Sequence, residues 1–142
     1  MSAFITSSAT ATAQRSERYG RALAILERLE PGAPERVDAS LGEMSPDFAE
    51  TVLGFALADV LDRPAIDLRT REMLTVAALT AIGTAPGQLE FHIRAAMNVG
   101  VTRDEIVEII LQMAVYAAVP AAMNGVAGAK LAFATVEERR SG

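Results

Sequence analysis

Asp67-Leu68-Arg69-Thr70-Arg71-Glu72-Met73-Leu74-Thr75-Val76-Ala77-Ala78-Leu79-Thr80-Ala81-Ile82-Gly83 is the stretch that decides the fold. Asp67 is suited to cap a helix start, since its side chain can accept from a first-turn N–H. Gly83 is suited to end one in the left-handed conformation. Between them lies a run without proline or glycine, which predicts a helix over residues 68–82. Met73, Leu74, Val76, Ala77, Ala78, Leu79, Ala81 and Ile82 put apolar groups on more than one face, so this helix needs cover on more than one side. It is too short to span a bilayer, which takes roughly 20 apolar residues, and Thr75 and Thr80 interrupt it.

The same punctuation recurs on either side. Downstream, Pro86 opens a helix that runs to Val99 and is closed by Gly100. Its inward stripe is Leu89, Ile93, Ala96 and Val99. Thr102 and Glu105 form a capping box, and the helix they start reaches about Ala118. Pro120 sits in the first turn of a last helix that reaches Glu138. Upstream, Ser45 as cap with Pro46 at the first helical position starts a helix to Leu61, with Phe48, Val52, Phe55 and Leu57 as its apolar members, and Pro64 ends it. The first helix covers Glu17 to Leu29, with Tyr19, Leu23, Leu26 and Leu29 in one stripe, until Pro31, Gly32 and Pro34 stop it. No strand alternation appears. The reading is an all-α chain: one domain of about six helices over residues 16–142, after a flexible tail of residues 1–15 rich in Ser, Thr and Ala. The helix with Ile106, Val107, Ile109, Ile110, Leu111, Met113 and Val115 is also apolar on more than one face. A six-helix domain has few places to cover two such helices, so a homo-oligomer is expected.

Composition narrows the chemistry. The chain has 142 residues, 51% of them hydrophobic and 22% charged, which is globular stock. It has no cysteine, which removes disulfides, thiolate–metal sites, thiol nucleophiles and dithiol redox chemistry. A net charge of −5 and an aromatic content of 5% disfavour nucleic acid as a partner. The N-terminus lacks the basic and apolar regions of a signal peptide, and no membrane contact is indicated. The expected compartment is the cytoplasm.

A few polar residues stand out against this background. His92 is the one histidine. It is three residues after Leu89 and four before Ala96, so it borders the inward stripe, as either a hydrogen-bonded core histidine or a reactive one. Glu72 is three before Thr75, four before Val76 and seven before Leu79, a line that points inward. It is either a first-turn acid favouring the helix dipole or a buried carboxylate that needs a donor. Arg69 and Arg71 precede it. Gln112 and Tyr116 lie four apart on one helical face, and they and Asn124 are polar groups among apolar ones. One histidine with scattered acids makes no metal site. Gly83-Thr84-Ala85-Pro86-Gly87 lacks the lysine and spacing of a phosphate loop.

Taken in order, Asp67 to Leu79, Gln88-Leu89-Glu90-Phe91-His92-Ile93-Arg94 through Glu108, and Gln112 to Asn124 strongly resemble the carboxymuconolactone decarboxylase family. The resemblance covers residues 19–134. Ala118 departs from it, where the family often has Gly. It implies an all-helical, alkyl-hydroperoxidase D-like fold assembled into ring-like homo-oligomers. The thiol peroxidases of that superfamily place a Cys-x-x-Cys pair and a His after a motif like Arg71-Glu72. The matching segment here, Thr84 to Gln88, has no thiol, so peroxidase chemistry of that kind is excluded.

The resemblance also implies an activity: loss of carbon dioxide from a small unsaturated carboxylactone that is its own electron sink, with no cofactor and no metal. His92 and Glu72 are then the catalytic pair. Arg71, Arg94, Gln112 and Tyr116 are the residues to bind the carboxylate or lactone substrate. Histidine suits a proton donor, and arginine suits a carboxylate or an oxyanion. Two alternatives stand beside this reading: an acid–base isomerase or cyclase on another unsaturated carbonyl compound, and a non-catalytic oligomeric binding protein.

Overall fold

The computed structural model describes residues 17–45 and 47–142. The tail expected at residues 1–15 and the helix-starting role expected of Pro46 lie outside them. The described residues form seven α-helices and one π-helical stretch, with no strand, which is the all-α class expected. They gather into two compact units, one reaching to Ala65 and the other spanning Ile66–Gly142.

In the first unit, α1 (residues 17–29) buries Ala22, Ile25, Leu26 and Leu29 at helical spacing. The chain does not stay irregular after Pro31, as the sequence reading expects, but forms α2 (Ala33–Gly42). Gly32 turns the chain at a φ of 76°, and Pro34 occupies the first turn of the new helix, where its missing N–H costs nothing. The Tyr19 hydroxyl donates to Asp38 of this helix. Burial first, and then that bond, raise the tyrosine above its usual range.

The next segment departs further from expectation. Asp47, not Ser45, stands at the cap position of α3 (Phe48–Leu53), and residues Gly54–Leu61 continue as a π-helix. The wide turn closes with Asp62 N–H donating to the Leu57 carbonyl at 2.9 Å. Arg18 lies against Gly54, where an added Cβ would be 2.6 Å from its Nη1, and forks onto Asp59 at 3.0 and 2.7 Å. Ala49, Leu57 and Ala58 are buried, whereas Phe48, Val52 and Phe55, at helical spacing on one face, are exposed. The apolar face expected to enter the core is thus largely on the surface of the chain.

The second unit follows the sequence reading closely. It holds α4 (Leu68–Ile82), α5 (Pro86–Asn98), α6 (Arg103–Tyr116) and α7 (Val119–Ser141). Asp67 accepts from Thr70 N–H at 2.8 Å, and this bond holds its carboxyl below the usual range. Gly83 and Gly100 take positive φ of 71° and 99°, which they adopt at no steric cost. Both arms of the capping box form: Glu105 N–H donates to Thr102 Oγ1 at 3.1 Å, and Thr102 N–H to Glu105 Oε2 at 2.8 Å. Ala118 is extended, with φ −179°, a backbone conformation that any residue adopts.

Val76, Leu89, Ile93, Ala96, Val101, Ile106 and Ile110 form the core with the small residues Ala122, Ala129 and Ala132 of α7 and with Phe133. Burying an isoleucine such as Ile93 or Ile106 contributes about 1.5–3 kcal/mol. Gly125 lets α7 approach closely, since a Cβ there would be 2.9 Å from methyl carbons of both Ile110 and Thr80. Several apolar side chains nevertheless face outward: Leu74 and Ile82 on α4, and Val107, Leu111 and Val115 at four-residue spacing on α6. No helix among the described residues is long and apolar enough to cross a membrane.

This packing yields a stability test. Gly125→Val is expected to destabilise the protein by about 1–3 kcal/mol through overpacking. Gly87→Ala, at a glycine with nothing within 4 Å, is expected to leave the melting temperature unchanged or slightly raised. Thermal unfolding of both variants followed by circular dichroism checks the contrast, and equal melting temperatures would contradict it.

Candidate active site

Two polar residues that lie twenty apart in the chain meet between α4 and α5. Glu72, in the second turn of α4, has no exposed surface. Its Oε2 is 2.8 Å from Nδ1 of His92 on α5. The other carboxyl oxygen, Oε1, is also buried and has no hydrogen-bond partner. A carboxylate shut away from water costs several kcal/mol unless it is paired, and the imidazole is its pairing group. With Glu72 ionised, the carboxylate can only accept, so Nδ1 carries the proton and Nε2 is left for chemistry. His92 itself keeps 18% of its side chain exposed, so one side of the ring is within reach of a ligand. The Phe91 ring meets the imidazole edge to face, with centroids 5.1 Å apart.

The other expected site residues are placed differently. Arg71 Nε donates to the Ile66 carbonyl at 3.0 Å, at the foot of α4. Arg94 donates to Glu90 at 2.8 Å and lies 5.9 Å from the centre of the Phe91 ring, so it flanks the ring that contacts His92. Gln112 and Tyr116 do not sit among buried groups, as their apolar neighbours led us to expect. Both are exposed on α6, and Asn124 is exposed on α7. The physical reason is that their neighbours Leu111 and Val115 are on the surface too, so a polar residue between them is not thereby interior. Among the described residues no group of three or more His, Cys, Asp or Glu is placed to hold a metal ion.

Sequence reasoning had no means of finding two features. Phe91, the aromatic neighbour of His92, has no spacing signal. The second is a small cleft of about 30 Å³ between the α4–α5 turn and α7, lined by Thr80, Gly83, Ala85, Pro86, Leu89 and Asn124 among others. Leu89 is one helical turn before His92. Gly83 at the turn was legible, but the α7 wall was not.

A buried glutamate bonded to a partly exposed histidine, in a chain without cysteine, is a pair equipped to move a proton. Residues 46–131 match the carboxymuconolactone decarboxylase family, and the chain belongs to that family. Among curated relatives it is 36% identical over 108 residues to a 4-carboxymuconolactone decarboxylase of Acinetobacter baylyi, covering 74% of this chain and 78% of that protein. It is 29% identical over 100 residues to an uncharacterized 15.0 kDa protein of Paracoccus denitrificans, covering 70% and 75% respectively.

The lone histidine makes the pair directly observable. In mildly alkaline solution, a long-range proton–nitrogen spectrum of the imidazole is expected to show one tautomer, with Nδ1 protonated and Nε2 bare. Glu72→Ala is expected to replace this with exchange-averaged nitrogen signals. A wild-type spectrum with Nε2 protonated would contradict the geometry.

Proposed function

We propose that this protein is a cofactor-free carboxy-lyase that removes carbon dioxide from a small unsaturated carboxylactone. The observation that carries the reading is the 2.8 Å contact between His92 and the buried Glu72, in a chain similar to a 4-carboxymuconolactone decarboxylase. The substrate carries its carboxylate on the γ-carbon, conjugated through an alkene to the lactone carbonyl. The bond from that carbon to the carboxylate breaks, carbon dioxide leaves, and the electron pair moves through the alkene onto the carbonyl oxygen as a dienolate. The protonated imidazole then gives its Nε2 proton to carbon and takes another from solvent. Glu72 balances the imidazolium charge and holds the ring so that Nε2 faces the substrate. Arg71 and Arg94 are the cations assigned to the carboxylate and the developing oxyanion. The lactone supplies its own electron sink, so the reaction asks for no cofactor. The cytoplasm is the compartment that suits such a catabolic step.

A positioned general acid contributes typically 10²–10⁴-fold in rate. His92→Ala and His92→Gln are therefore each expected to lower the turnover number by roughly that factor, with the Michaelis constant little changed. Carbon dioxide release from 4-carboxymuconolactone is the assay. Full activity in a folded His92→Gln protein would retire the catalytic assignment, because glutamine fills a hydrogen bond but cannot act as an acid.

The same reading includes a homo-oligomer, a trimer or a hexamer. Its support is the outward apolar stripe Val107, Leu111 and Val115, together with Leu74 and Ile82. Soluble monomers rarely expose apolar patches beyond a few hundred Å². Sedimentation at low micromolar concentration is expected to give a multiple of 15.0 kDa, and Leu111→Glu is expected to dissociate it without loss of helix. A wild-type species of monomer mass would sink this part of the reading.

A further inference from the structure

The contact between Glu72 and His92 depends on how far α4 and α5 slide along one another. The residues that pack them, among them Val76, Leu89, Ile93 and Ala96, are aliphatic. Such contacts are non-directional and tolerate small axial shifts. A hydrogen bond of 2.8 Å does not, since it weakens within a few tenths of an ångström. A directional contact between the helices holds the register more sharply than these contacts do.

Arg69, one turn before Glu72 on the same helix, supplies one. Its Nε donates to the Gly100 carbonyl at 3.2 Å, in the turn that ends α5. Its Nη2 donates to both oxygens of Glu105 in the first turn of α6, and its Nη1 meets the Met73 sulfur at 3.4 Å. Glu105 is itself held, because its Oε2 also accepts the Thr102 N–H of the capping box. Gly100 presents its carbonyl from a φ of 99°, a conformation that favours glycine. One guanidinium thus binds the start of α4 to the end of α5 and the start of α6. Arginine suits this task because its donors are fixed in a rigid planar fork.

We propose that Arg69 is a positioning residue: by locking α4 to the α5–α6 corner, it sets the register that lets the Glu72 carboxylate meet His92 Nδ1. Its consequence for catalysis rests on the acid–base reading given above, whereas its consequence for the pair does not. A displacement of about 1 Å in a reacting group can cost on the order of 10²-fold in rate.

The test uses the full chain and two readouts, exchange of the His92 Nδ1 proton with water and turnover of 4-carboxymuconolactone. Arg69→Gln is expected to keep its helical circular dichroism. It is expected to speed exchange of the Nδ1 proton at least tenfold and to lower the turnover number by roughly 10–100-fold at a nearly unchanged Michaelis constant. Glu105→Gln retains a residue competent for the capping box but removes the charge that holds Arg69. It is expected to shift both readouts in the same direction by a smaller factor, and it keeps the test decisive should Arg69→Gln fail to fold. Arg69→Lys, which keeps the cation but loses the fork, is expected to fall between wild type and Arg69→Gln. Unchanged exchange of the Nδ1 proton in a folded Arg69→Gln or Glu105→Gln protein would overturn the proposal. Faster exchange with full turnover would uphold the positioning of the pair and defeat the catalytic reading instead.

Discussion

Burying a carboxylate with no exposed surface is the constraint around which the larger unit is arranged. Glu72 stands where the helical line of Thr75, Val76 and Leu79 turns inward, and an unpaired charge there would cost several kcal/mol. The imidazole of His92 offsets that cost through its Nδ1, 2.8 Å from the carboxylate. This single bond ties the chemical state of one helix to that of the next. It leaves the carboxylate's second oxygen buried and unpartnered, a local debt that the surrounding packing has to carry.

The rest of the unit brings α4 and α5 close enough for the bond to form. Small residues on α7 allow the helices to approach, with Gly125 pressed against Ile110 and Thr80. Local devices hold several helix ends: the Asp67 cap, the Thr102–Glu105 box, and glycines in the left-handed region at the turns. At the far end Arg103 lies 4.4 Å from the centre of the Phe133 ring and pairs with Glu137, which links α6 to the later part of α7. Aliphatic contacts supply most of the stabilisation and polar ones the register. That division is the reason a few exposed charged groups can matter to the geometry while adding little to stability.

Family membership and site chemistry bear on different questions. The match over residues 46–131 concerns ancestry and fold, and one fold hosts many activities. The site speaks to reaction type. A chain without cysteine cannot run dithiol chemistry, and a histidine bonded to a buried carboxylate is equipped to move protons.

Much of the fold was legible in the sequence, because caps, prolines and glycines act through backbone hydrogen bonds within a few residues. Asp67, Gly83, Pro86, Gly100 and Thr102 therefore determined where the helices of the second unit begin and end. Periodicity also placed Glu72 facing inward and His92 at the edge of the buried stripe. The sequence could not decide that these two meet, since a contact between residues twenty apart depends on how two helices pack. Nor could it decide that residues Gly54–Leu61 widen into a π-helix, or that the face carrying Phe48, Val52 and Phe55 is left on the surface. The exposure of Gln112 and Tyr116 was likewise hidden, because a polar residue between apolar ones is interior only if that face is covered. Local hydrogen-bonding rules determined the elements, and only the packing of one helix on another decided which side chains meet and which face water.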